Sequence, residues 1–339
     1  MMKKLTKVFA VLLAVTMVFT LFACAKKDSD GETSAAGGDA KKFKIAIIQP
    51  MEHLSLNEIR DTIVAELKAL GYTDDKAEII LKNANGDMSL LPSIYNNLIT
   101  EKVDIYVPIA TPTAQAAKAA VSDKPIIFSA VSDPVKAGLV TDIEKPAENI
   151  TGVSDPIPVD QTLAFAKELV PSIKTIGFIY NVGEANSVSA IERAKKYCDE
   201  NGIAYKEANV AVTGDIQQAV ASIIDEVDAF FTPDDNTVAS GMNTYAQVAL
   251  EKKKPIFCGA DSMVKEGGLA TVGINYVTLG KLTARMVDKV LKGASVQDTP
   301  VEYVKDYAKV INTDVCEELN ITLPANTEGF VLVKRENNN

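Results

Sequence analysis

Tryptophan is absent from this chain of 339 residues, and histidine occurs once, as His53. No GxSxG, HExxH or GxxxxGK[ST] is present, so the common nucleophile, zinc-protease and phosphate-loop signatures are all missing. Neither lead strand described below is followed by GxGxxG, which argues against a dinucleotide, and no cofactor is expected. Cysteines number 4, with no CxxC among them. Cys198, Cys258 and Cys316 are far apart and odd in number, so they read as small buried apolar residues rather than ligands or disulfides. Positive charge is also scarce. The formal net charge is −10, from 35 basic and 45 acidic residues. Residues 1–23 hold Lys3, Lys4 and Lys7 and no acid, so without them 45 acids face 32 bases, or −13. A nucleic-acid partner requires a basic face, and this balance argues against that class.

What is present begins with a leader. MMKKLTK is basic, and VFAVLLAVTMVFTLF is an uncharged run too short for a comfortable membrane span. The run ends in LFAC, which resembles a bacterial lipobox with Cys24 as the lipidated residue, although Phe22 is bulkier than the small residue usual there. The plainer alternative is ordinary secretion with an incidental cysteine. The polar, Gly/Ser/Ala-rich tract AKKDSDGETSAAGGDAKK follows at once and reads as a flexible tether, which favours lipidation. The expected layout is a signal peptide over 1–23 and a lipid-anchored tether over 24–42.

From Phe43 onward short apolar runs alternate with segments of helical spacing. KIAIIQ, AEIIL, DIYVPIA and PIIFSAV read as strands before Pro156, and KTIGFIY, AYKEANV, DAFFTP, PIFCGA and LATVGIN after it. Helices are expected between them, one of them unbroken over about 237–251. Strands alternating with helices of this length mean βαβ units and parallel sheets. The chain also echoes itself. KPIIFSAVSDPVKAGLVT (124–141) parallels KPIFCGADSMVKEGGLAT (254–271), and VDIYVPIATPTAQAA (103–117) parallels VDAFFTPDDNTVASG (227–241), in the same order. The fold class expected is α/β, with two similar doubly wound parallel-sheet lobes and a ligand cleft between them. One lobe spans 43–155 plus about 277–303, the other 156–276 plus about 304–339. Crossings are expected near 153–158, 274–278 and 300–306, and such a pair of lobes should hinge.

Open α/β sheets bind ligands at the carboxyl ends of their strands. Thr111 is placed there as a helix N-cap with Pro112 after it. Asn186 or Ser187, and Asn236 or Thr237, are placed likewise at later helix starts. Each is either a plain cap or a donor to an anion; several converging by duplication favour a polar binding cleft. His53 reads either as a solvated loop residue or as a ligand contact. Tyr180, Phe231 and Tyr276 at strand ends read as stacking partners or as core.

The residues KIAIIQPMEH, IATPTAQAA, FSAVSDPVKAGLV, NITGVSD, IYNVGEANS, TPDDNTVAS and GADSMVKEGGLATVGINYVTLG together resemble the ABC transporter substrate-binding lipoproteins of the TrpX type, over nearly the whole mature chain. The resemblance implies a periplasmic-binding-protein fold of the first type and an aromatic amino acid or a relative as ligand. It implies cleft residues at His53, Ser55, Thr111, Thr113, Ser129, Ala130, Asp155, Glu184, Asn186, Ser187, Asn236 and Asp261. Asp155, Glu184 and Asp261 are the candidates for the ligand's ammonium. With no tryptophan, any aromatic wall must be Phe, Tyr or His. The partners implied are a permease with its ATPase and a membrane reached through the lipid anchor, outside the cytoplasm of a bacterium. Two alternatives stay open: a lipid-anchored signalling receptor, and a cleft enzyme, against which the missing catalytic signatures argue.

Overall fold

The computed structural model describes residues 42–146 and 148–336. The leader and Cys24 lie outside the described residues, as does all of the tether except Lys42.

Two sheets organise the chain. The first contains β1 (Phe43–Gln49), β2 (Ala77–Asn83), β3 (Ile105–Pro108), β4 (Ile126–Ser129), β5 (Ile150–Ser154) and the late strand β11 (Glu302–Tyr303). Its order is β11-β5-β4-β3-β1-β2, and every pairing is parallel. The second contains β6 (Thr175–Tyr180), β7 (Ala204–Asn209), β8 (Ala229–Thr232), β9 (Ile256–Cys258), β10 (Ala270–Ile274), β12 (Tyr307–Asn312) and β13 (Val331–Val333), in the order β13-β12-β10-β9-β8-β6-β7. The first five strands of each half therefore take the same spatial order, second-first-third-fourth-fifth, which is the structural form of the internal echo. One pairing departs from the all-parallel expectation: β12 runs antiparallel to β10, because the chain re-enters this sheet from the other lobe after β11.

The central strands are buried on both faces, as parallel strands sandwiched between helices must be, while the edge strands β2, β7 and β13 are partly exposed. β3, β4 and β8 carry no exposed residue, and β1 is buried from Ile45 to Gln49. Helices cover them with amphipathic stripes. In the first lobe α1 (Leu54–Ala69), α2 (Leu91–Thr100) and α3 (Thr111–Ala120) follow β1, β2 and β3. Helix α1 buries Leu56, Ile59, Ile63 and Leu67 at helical spacing. In the second lobe come α4 (Val159–Leu169), α5 (Ala185–Asn201), α6 (Ile216–Ile223), α7 (Asn236–Ala239), α8 (Met242–Glu251) and α9 (Asp261–Lys265). The single helix expected over 237–251 is thus two, broken at Ser240–Gly241, where glycine is the poorest helix former short of proline. Helix α10 (Tyr276–Leu291) lies against α1, so tightly that a Cβ on Gly280 would stand 2.7 Å from Thr62 Cβ. The last helix, α11 (Thr313–Leu319), returns to the second lobe beside β12.

The chain passes between the sheets after β5, after β10 and after β11. Cys198, Cys258 and Cys316 are buried free thiols, and burial pushes Cys198 and Cys316 up to about 12 and 11 and holds Cys258 well above the ordinary thiol value. No helix among the described residues is long and apolar enough to cross a membrane.

Candidate functional site

In a doubly wound sheet the strand order reverses between the first and third strands, and the connecting loops diverge there to leave a crevice. Both reversals face the same space in this molecule. From the first lobe the loop after β1 brings His53, Ser55, Leu56 and Ile59, the end of β3 brings Ala110 and Thr111, and the ends of β4 and β5 bring Ala130 and Asp155. From the second, α5 brings Asn186, the loop after β8 brings Asp234, Asp235 and Asn236, and Ala239, Ala260 and Met263 complete the wall. Tyr276 enters from the start of α10, at the second crossing.

The two lobes touch across this space. His53 Nε2 lies 3.3 Å from Asn236 Oδ1. Ser55 Oγ hydrogen-bonds Ser262 Oγ, and Ser132 Oγ donates to Asp234 Oδ2. The cleft is therefore shut. Two non-glycine residues on its wall, Ala110 and Ala130, have φ of 73° and 55°, a conformation that L-residues adopt at a penalty and that gathers at ligand sites.

Four acids lie in or beside the cleft, and their hydrogen bonds divide them. Glu184 caps α7: Oε2 accepts from Asn236 N at 3.1 Å and Nδ2 at 2.5 Å, and Oε1 accepts from Thr237 N at 3.0 Å and Oγ1 at 2.9 Å. Asp235 accepts from Asn181 N at 2.7 Å and Val238 N at 2.8 Å, with Ser187 also donating. Both are structural, holding α7 against α5. Asp155 and Asp234 are not satisfied in this way. They converge on one hydroxyl, Ser132 Oγ, which stands 3.4 Å from Asp155 Oδ1 and within hydrogen-bond reach of Asp234. Asp234 keeps some exposure as a residue, yet its Oδ1 is shut from solvent with no partner. Burial holds both carboxyls above the usual carboxylate range, and the charge of Asp234 adds to the rise at Asp155. Arg193, which donates to Ile157 O at 2.9 Å, opposes the rise at Asp234. Other buried acceptors in the cleft are also unpaired: Asn186 Oδ1 and His53 Nδ1. Burial lowers the His53 pKa to about 4, so the ring is neutral.

The structure brings together His53, Ser55, Thr111, Ala130, Asp155, Asn186 and Asn236 on the cleft wall. It sends the other predicted positions elsewhere. Thr113 Oγ1 turns back to donate to Ile109 O and to Ala110 O, the latter at 2.8 Å. Ser129 Oγ is 2.8 Å from Thr283 Oγ1 on α10, because adjacent strand residues point to opposite faces and Ala130 takes the cleft side. Glu184 and Ser187 serve the caps described above. Asp261 pairs with Lys265 at 3.0 Å on the first turn of α9, where Met263 is the residue facing the cleft. The caps themselves lie one or more residues earlier than expected: Ala110 before α3, Glu184 before α5 and Asp235 before α7. Of the aromatics, Tyr276 lines the cleft. Tyr180 donates to Glu207 at 2.8 Å, and Phe231 packs edge-on against Phe178 in the core. Asp234 was missed, although two adjacent acids between a strand and a helix are an unusual pattern at a strand's carboxyl end.

Residues 44–331 match the family described as ABC transporter substrate binding protein. The chain belongs to that family. Its members bind solutes and are not enzymes. A curated relative, the tyrosine-binding protein of Clostridioides difficile, is 36% identical over 94% of this chain and 92% of its own. A Streptococcus structure of an ABC domain in complex with L-Trp is 38% identical, covers 86% of this chain and 100% of its own, and superposes with a TM-score of 0.84. A ligand-free, open substrate-binding protein from Clostridium difficile with adhesive properties is also 38% identical but superposes at only 0.66, over 87% of this chain and 100% of its own. At equal identity this chain superposes better on the ligand-bound structure than on the open one, in agreement with the hydrogen bonds that cross its cleft.

Proposed function

We propose that this protein is an extracytoplasmic capture protein for an aromatic amino acid, delivering it to a permease of an ABC importer. The observation that carries this reading is a closed cleft that sets two buried carboxylates sharing one hydroxyl, Asp155 and Asp234, the latter with an unpartnered Oδ1, beside an apolar wall of Leu56, Ile59, Met263 and Tyr276. A buried charge is tolerable only when paired or hydrogen-bonded, and a ligand ammonium supplies what these carboxylates lack. No lysine or arginine is among the described residues lining the cleft. The ligand's carboxylate is therefore assigned to neutral donors, the Thr111 hydroxyl and the free N–H groups of the first turn of α3, where the helix dipole favours an anion. The remaining positions on the wall, His53, Ser55, Ala130, Asn186 and Asn236, shape the rest of the site. The tyrosine-binding and L-Trp-bound relatives support an aromatic side chain.

A thermal-shift screen against the twenty amino acids tests this. Tyrosine and tryptophan should raise the melting temperature most, and a shift from none of the aromatic amino acids refutes the reading. Lipidation at Cys24 belongs to the same proposal. Wild type should fractionate with membranes, and Cys24→Ser should release it or leave the leader uncleaved.

A further inference from the structure

The hydrogen bonds around His53 fix which of its nitrogens carries hydrogen. Both oxygens of the Glu184 carboxylate accept from the start of α7, and a carboxylate has no hydrogen to give. The Asn236 group 2.5 Å from Glu184 Oε2 must then be its NH₂, which turns Oδ1 toward His53 Nε2 at 3.3 Å. An amide oxygen accepts only, so Nε2 bears the hydrogen. With the ring neutral, Nδ1 is left as a bare lone pair. It is buried and has no partner among the described residues. Such an acceptor is costly to bury unless something donates to it.

We propose that His53 Nδ1 reads a hydrogen-bond donor on the ligand's aromatic ring, an indole N–H or a phenol O–H. His53 caps α1, whose next residues Leu56 and Ile59 form the apolar wall. Asp155 and Asp234 already provide the ammonium with charged acceptors. Of the two neutral acceptors left unpaired, Asn186 Oδ1 and His53 Nδ1, the latter belongs to the residue that leads into Leu56 and Ile59 and is the one assigned to the ring. The site then accepts tyrosine and tryptophan and rejects phenylalanine, which fills the same apolar space but leaves Nδ1 without a partner. This inference rests on the aromatic amino acid reading above.

One histidine in the chain makes the test direct. In a 15N spectrum of the protein saturated with tyrosine at pH 7.5, where the cleft is shut and His53 meets Asn236, the imidazole should show a hydrogen-bearing Nε2 and an Nδ1 without hydrogen. Saturating tyrosine or tryptophan should move the Nδ1 resonance. By calorimetry wild type should bind both at least about tenfold more tightly than phenylalanine, since sites built around a ligand donor reject analogues lacking it strongly. His53→Leu should bring the three within about threefold, and His53→Gln, which keeps an acceptor, should restore part of the preference. A spectrum with hydrogen on Nδ1 overturns the proposal. So does phenylalanine binding wild type as well as tyrosine and tryptophan, or a preference that survives in His53→Leu. Binding of none of the three overturns the functional reading and this inference with it; parity among the three overturns the inference alone.

Discussion

Replacing Asp234 by asparagine removes one of the two carboxylates that meet at Ser132 while keeping the size of the side chain. A hydroxyl carries one hydrogen, so Ser132 Oγ donates to one carboxylate and leaves the other without it. In the shut cleft the second must hold a proton or meet a cation, and the ammonium of an amino acid supplies that cation. Removing one partner of a desolvated charge pair typically costs about 2–5 kcal/mol of binding. At about 1.4 kcal/mol per factor of ten, that is roughly thirtyfold to a few thousandfold in Kd. Calorimetric titration with tyrosine or tryptophan should give losses in this range for Asp155→Asn and for Asp234→Asn. Asp261→Asn is the control: that residue is outside the cleft wall and paired with Lys265, so its affinity should change by a few-fold at most. The reasoning fails if both cleft variants bind within a few-fold of wild type, or if Asp261→Asn loses as much as they do.

Closure of the empty protein should depend on pH through two opposed groups. Asp155 and Asp234 hold protons more tightly in the shut cleft, which favours closing as pH falls; His53, lowered from 6.5 to about 4, favours opening. In His53→Gln the opposing titration is gone, so the radius of gyration by X-ray scattering should shrink between pH 7 and pH 5, and replacing both Asp155 and Asp234 by Asn should abolish the trend. A second pH effect concerns Glu266, raised to about 7 by burial and by the nearby charge of Glu336. Its raised pKa makes stability fall as pH rises from its unfolded value of about 4.5 through 7, so Glu266→Gln should raise the melting temperature at pH 8 and leave it unchanged at pH 4.5. Equal shifts at both pH values would remove the electrostatic explanation. Finally, a Cβ on Gly259 would stand 2.3 Å from Asp234 N and 2.5 Å from the Pro233 carbonyl carbon. Gly259→Ala should push that loop and weaken amino acid binding at least about tenfold, and calorimetry showing full affinity would contradict the assigned role of Asp234.

The α/β class, the two lobes and the family were legible in the chain because they rest on repetition over many residues. An apolar run such as KIAIIQ or AFFT is a buried strand wherever a parallel sheet needs one, and the echo between 103–141 and 227–271 does not depend on any single side chain. The antiparallel return of β12 was not legible, since nothing local marks the direction in which a strand joins its neighbour. The cleft divides in the same way. The loops that reach it follow from strand order, but which residue of a loop faces inward is a matter of phase. Along a strand a slip of one residue reverses the face, so Ser129 turns to Thr283 while Ala130 meets the ligand space. Along a helix start the angular step is about 100°, so Asp261 pairs with Lys265 while Met263 faces in. Asp234 and Asp235 show the limit most plainly. They are chemically identical neighbours, and local sequence offers no reason to give one the cap of α7 and the other the cleft. The difference is made by partners distant in the chain, Asn181 and Ser187 for Asp235 and Ser132 for Asp234, the last of which arrives only when the lobes close.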